Sequence, residues 1–302
     1  MIKPSLETQG GRASAGFIRD TEGRIHLVWR ILLGWLSFVG ALGVAVAVTL
    51  AAQNYGFPVL AQQIILAVVT TGIAVPLIYL LRRCADNRPW SGLGLSPLPS
   101  GFRYLLLGAG FLIAMTVIAL LAGTLAGWIR VVDVHLPVET LLVILINIPI
   151  AFFYEAFPEE VTFRGYLYGN LSERFNRWLA LLFQIILFVL APVALTAALV
   201  AAGVGTWDLI TIDYVVNLLA FGTALQLCRI FTGNLWMSIG FHLAWLEMVR
   251  FVIVPSDNAL IEVEYLSPYG SYLVSLGSVT IGILVLLYWT YRNRNRQKEI
   301  RE

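Results

Sequence analysis

Two adjacent glutamates and an arginine, Glu159, Glu160 and Arg164, close a hydrophobic run that reads LLVILINIPIAFFYEAFPEE. Ionisable side chains at membrane depth are expensive and mark a functional site by default. In helical geometry Glu160 and Arg164 are i and i+4, with the glutamate on the N-terminal side, the favourable order for an ion pair. Glu159 points about 100° away from Glu160. One carboxylate can be held by the arginine while the other faces a cavity. A second polar group, His242, lies in the late run NLWMSIGFHLAWLE. Counted from the start of that run it sits about 12 Å deep, where an imidazole needs a partner, and Glu159 is the expected one. A cavity-facing carboxylate beside an imidazole is equipped for general acid–base work. The plainer alternative is a salt-bridged helix end at the membrane interface and a histidine bonded to a neighbouring helix.

The elements that must position these residues follow from composition. The chain has 302 residues, 59% hydrophobic and 13% charged, whereas globular domains are nearer half apolar and a quarter charged. This predicts an all-α, polytopic membrane protein whose first partner is the lipid bilayer. A net charge of +2 gives no reason to expect nucleic acid as a partner. Eight runs approach the roughly 20 residues needed to cross a bilayer: 27–52, 61–81, 104–128, 137–160, 178–202, 212–231, 234–254 and 271–291. They leave a tail at 1–26, a helical domain at 27–291 and a basic tail at 292–302. Asn54 to Pro58 reads as a turn, Arg82 to Arg103 as a polar loop, and Pro255-Ser-Asp-Asn and Ser267-Pro-Tyr-Gly as brackets of an acidic loop. With eight spans, 18 of the 20 Lys and Arg fall on the side of the termini, and only Arg130 and Arg250 fall elsewhere. The positive-inside rule therefore places both termini in the cytoplasm, and the site near the cytoplasmic end of the fourth span. A short core without long appended domains suits a bacterial inner membrane. Cys84 and Cys228 form no metal framework and no redox motif, and no disulfide is expected of them. No cleavable signal is apparent ahead of the first run.

The motif Glu159-Glu160-Val-Thr-Phe-Arg164-Gly-Tyr-Leu, followed by Thr232-Gly-Asn-Leu-Trp236 and Gly240-Phe-His242 in a late helix, resembles the CPBP intramembrane proteases. These include the CAAX-processing endopeptidases and bacteriocin-related immunity proteins. The resemblance covers roughly residues 140–250 and implies a helical bundle acting on a membrane-associated peptide or protein. It implies that Glu159 activates the attacking water, and that Glu160 and Arg164 support the site. His242 would hold the water, a divalent metal such as zinc, or the oxyanion, with Glu159 and His242 as metal ligands.

Two positions depart from the family pattern. Phe188-Val-Leu-Ala-Pro192 has proline where a histidine is expected, and His242-Leu-Ala-Trp-Leu246 has leucine where an asparagine is expected. Catalytic zinc sites take three protein ligands, and Glu159 with His242 supplies two. The losses predict weakened or lost hydrolysis, and leave a non-catalytic client-binding scaffold and a small-solute transporter as alternatives. Among possible substitutes, His26 lies at the edge of the first span and His135 on the far side. Glu155, one turn before Glu159, could add a carboxylate across the kink of Pro158. Glu247 and Arg250 are expected to pair with each other, and Asn217 to bond between helices.

Overall fold

The computed structural model describes residues 19–20, 23–135, 137–253 and 259–299. Tail residues 1–18 and the first bracket of the acidic loop, Pro255-Ser-Asp-Asn258, lie outside the described residues. Helix α1 (Leu27–Asn54) is followed, through the expected turn, by α2 (Val59–Leu80), which widens into a π turn at Leu81–Ala85. A short 3-10 turn (Trp90–Leu93) precedes α3 (Leu98–Leu125). Strand β1 (Ile129–Val134) leads to the long helical run α4 (Val138–Leu171). Next come α5 (Arg177–Ala201), α6 (Ile212–Thr232) and α7 (Leu235–Met248), the last extended by a π turn at Val249–Ile253. Strand β2 (Ile261–Tyr265) and α8 (Ser278–Glu299), the latter entered through Pro268–Gly277, complete the chain.

Seven helical segments among the described residues are long and apolar enough to cross a bilayer. The protein is thus an integral, multi-pass, all-α membrane protein. The run expected at 234–254 is not among the seven, although α7 with its π turn forms a continuous helix of 19 residues, Leu235–Ile253, that carries His242, Glu247 and Arg250. Its first half is packed in protein, with Leu235 to His242 all buried.

The tightest helix crossing sets α7 against α3. A Cβ on Gly108 would lie 2.0 Å from the Met237 carbonyl oxygen, and one on Gly240 would lie 2.0 Å from that of Leu105. Two missing side chains therefore let the two backbones touch, as small residues do at helix interfaces in membranes. That contact fixes the height of His242, two residues beyond Gly240.

Two sequence expectations are corrected in the connections. The acidic segment before Ser267 is a strand, not a loop: β2 pairs antiparallel with β1, with Arg130 opposite Glu264 and their side chains 2.8 Å apart. The pairing buries Ile129 against Leu120, Val252 and Val274. The segment Arg82 to Arg103 is also more ordered than a polar loop. It holds the π turn, the 3-10 turn and the first residues of α3. Its Gly94 carbonyl accepts from the Leu235 amide, and Ser96 bonds both Asn234 and Trp236.

Candidate active site

Helix α4 carries the paired glutamates, and they are not at its end. The run continues for eleven residues past Glu160 to Leu171. The residues after the motif look polar because Thr162, Arg164 and Asn170 are buried against protein rather than exposed at a surface. The backbone here widens into π turns at Phe152–Ala156 and Val161–Leu167, on either side of the glutamates. Pro158 has no N–H to close the turn onto Tyr154, and π turns inside helices concentrate at functional sites.

The structure brings Glu159, Glu160, Arg164 and His242 together. Arg164 Nη1 donates to Glu160 Oε1 at 3.0 Å, and both side chains are fully buried. Arg164 Nη2 reaches the Gly222 carbonyl at 3.5 Å, and its guanidinium lies 4.2 Å from the centre of the Phe188 ring. His242 Nδ1 is 3.0 Å from the same Glu160 Oε1, and the ring stands edge-on to Phe221. With Glu160 held by Arg164 as an acceptor, Nδ1 is the donor and Nε2 faces the cavity. Glu159 Oε2 lies 3.9 Å from that Nε2. The partner of His242 is therefore Glu160, not Glu159 as expected. Glu159 faces the histidine across a gap and keeps 17% of its side chain exposed. The 100° offset of consecutive helical residues produces this division: one carboxylate points to the arginine, the other to open space.

That space is a cavity of about 380 Å³ lined by α1, α4, α5, α6 and α7. Its polar walls include Tyr154, Glu155, Glu159, Tyr214 and His242. Pro192 and Leu246 line it too, so the positions of both missing polar groups face the same space as Glu159. The cavity reaches Leu199, Leu209 and Tyr214 at the α5–α6 connection. This end lies away from Arg174, Arg177 and Arg229, which cluster where α5 starts and α6 stops. The site is thus not at the arginine-rich end, as the span boundaries suggest. It is nearer mid-depth and faces the other way, because α4 runs so far past Glu160.

Other expectations resolve differently. Arg250 pairs with Glu155 at 3.0 Å, and Glu247 accepts from Asn147 at 2.7 Å, so Glu247 and Arg250 are not each other's partners. Glu155 gives its carboxylate to Arg250, although it lines the cavity. Asn217 donates to the Asp213 carbonyl of its own helix rather than across an interface. His26 precedes α1, and His135 approaches Asp133 and Glu262 beside the hairpin; neither lines the cavity. Both cysteines are free, Cys228 buried and Cys84 exposed. No group of three or more His, Cys, Asp or Glu among the described residues could hold a metal ion. Two donors, one of them a glutamate 3.9 Å from the imidazole nitrogen, do not meet the three-ligand requirement of a catalytic zinc.

A second buried network has its own sequence signal. Asp86 is fully buried, and Arg82 at i−4 bonds it at 3.0 Å. Tyr166 and Asn170 of α4 also donate to Asp86, at 3.1 and 3.2 Å. Arg30 of α1 joins Asn170, Asp86 and Glu173. This network fastens the end of α4 to α1 and the α2–α3 connection. Arg30, Arg82 and Arg164 therefore act as buried structural charges, although a tally of loop arginines counts them as surface anchors.

Residues 137–246 match a protein-family model described as type II CAAX prenyl endopeptidase Rce1-like. No curated protein and no solved structure matches the chain. The matched segment runs from the start of α4 through Leu246 and so contains the paired glutamates, Arg164 and His242. The chain carries, over residues 137–246, an Rce1-like domain of the CPBP family.

Proposed function

We propose that this protein is an intramembrane endopeptidase of the CPBP type, acting on a membrane-associated peptide or protein. The observation that carries the reading is the gap between Glu159 Oε2 and His242 Nε2, 3.9 Å wide at the wall of the cavity. A water molecule bonded to both atoms fits that separation. Glu159 takes a proton from the water as its oxygen adds to the scissile carbonyl. The carbon–nitrogen bond then breaks, and Glu159 returns the proton to the leaving amine. His242 orients the water, while Glu160 holds the imidazole by Nδ1 and Arg164 keeps Glu160 in place. Pro192 and Leu246 add no hydrogen bond to the oxyanion, so turnover is slower than a site with polar groups at both positions would give. The donors present do not fit a catalytic metal. The arginine-rich end is placed in the cytoplasm by the positive-inside rule, in the plasma membrane of a bacterium.

A non-catalytic client-binding role is the second reading, favoured by the same Pro192 and Leu246 in the cavity wall. The test compares wild type with Glu159→Ala, expressed at matched levels, by mapping new protein termini across the membrane proteome. Termini formed only by the wild type establish hydrolysis and name its client. Identical profiles from two folded proteins transfer the assignment to client binding.

A further inference from the structure

Below Arg164 lies a feature that the hydrolytic site does not use. Gln184 on α5 and Gln226 on α6 are both fully buried. Neither the amide nitrogen nor the oxygen of either side chain has a hydrogen-bond partner among the described residues. Buried amides are paired in the great majority of proteins, and orphans point to bound water or an ion. The helical register places both residues at the crossing of α5 and α6. Phe188 of α5 meets Gly222 of α6, where an added Cβ would lie 3.0 Å from the ring. In an antiparallel pair, stepping four residues back along α5 and four forward along α6 leads from that contact to Gln184 and Gln226.

The orphan atoms continue on both sides of the pair. Upward, Gly222 receives Arg164, whose Nε has no partner, and Arg164 holds Glu160, whose Oε2 has none either. Downward, Arg229 follows Gln226 by three residues on the same face of α6; its Nη2 donates to the Leu93 carbonyl at 3.2 Å, while its Nε is without a partner. Gly222, Gln226 and Arg229 form an i, i+4, i+7 stripe. The opposite face of α6 carries Phe231, which packs on Trp289 of α8. Gln184 is seven residues into α5, about 10 Å from the arginine-rich end at helical rise.

We infer that α5 and α6 enclose a water-binding seam running from Arg229 at the arginine-rich end, past Gln226 and Gln184, to Arg164 and Glu160. The water it holds completes the amides and solvates the buried ion pair that orients His242. It approaches that pair from the side opposite the cavity containing Glu159. Amides suit this role because they donate and accept without adding charge to a buried site.

The test needs no proteolysis, so it stands apart from the catalytic reading. In a background of Cys84→Ser and Cys228→Ala, Gln184→Cys and Gln226→Cys are exposed to a small cationic methanethiosulfonate reagent. The reagent is added to one or the other face of oriented membrane vesicles. Ile186→Cys, two residues along α5 and facing lipid at 44% exposure, is the control. Both seam cysteines are expected to react at least tenfold faster than the control, from the arginine-rich face. Reaction no faster than the control overturns the seam, as does faster reaction from the opposite face, which traces the water to the substrate cavity. If the cysteine variants do not fold, a Gln184→Met, Gln226→Met chain decides. A dry seam gains thermal stability when orphan amides are removed, which refutes the proposal; an unchanged or lower Tm supports it.

Discussion

Arg164→Met is the perturbation that most directly probes how the site is built. The Arg164–Glu160 pair is 3.0 Å long with neither side chain exposed. Removing one partner leaves a carboxylate stranded in protein, a change that costs about 3–5 kcal/mol in comparable buried pairs. The cation–π contact with Phe188 at 4.2 Å is lost as well, but methionine retains packing against that ring. For a chain of 302 residues a loss of ~3 kcal/mol lowers Tm by roughly 5 °C. Adding Glu160→Gln removes the stranded charge while keeping an acceptor for His242 Nδ1. The double variant is therefore expected to recover at least half of the loss. Thermal unfolding in detergent, followed by tryptophan fluorescence, measures both. A single variant within about 1 kcal/mol of wild type, or a double variant as unstable as the sum of the two singles, would refute the claim that a buried charge pair organises the site.

Three further outcomes are expected. Pro192→His together with Leu246→Asn puts two polar groups on the cavity wall facing Glu159; hydrolysis in a membrane peptidase assay should rise, by ~10²-fold if one oxyanion donor is gained. No rise means that the helix geometry at those positions no longer serves the reaction. Exhaustive chelation should leave hydrolysis unchanged, because Glu159 and His242 alone do not complete a zinc site; loss with recovery on adding zinc would establish a metal held by those two residues. Gly240→Ala forces a Cβ to within 2.0 Å of the Leu105 carbonyl oxygen, which should cost at least ~1–3 kcal/mol as the helices separate. A matching alanine at Gly40, which has open space around it, should be tolerated within about 0.5 kcal/mol, and equal Tm values for the two would contradict the close crossing.

Composition and run length were enough to read a multi-pass helical membrane protein, because lipid demands long apolar helices whatever they pack against. The order Glu-Glu-x-x-x-Arg was enough to pair Glu160 with Arg164 and to turn Glu159 elsewhere, because both follow from 3.6 residues per turn within one helix. The later histidine was legible as a buried polar group in need of a partner. Which partner it takes was not: Glu160 rather than Glu159 is decided by how α7 crosses α3 at Gly108 and Gly240, a contact between distant segments. The fate of Glu155, Arg250 and Glu247 was misread for the same reason, since neighbours one turn apart lost to partners on α4 some ninety to a hundred residues away. Seven of the eight expected runs are long and apolar enough to cross a bilayer, and the eighth differs because apolarity has two causes. Leu235 to His242 of α7 are buried in protein, and hydropathy cannot tell one apolar surrounding from the other. The direction in which the cavity faces also required the fold, because buried Thr162, Arg164 and Asn170 look like the polar end of a helix until the tertiary structure surrounds them.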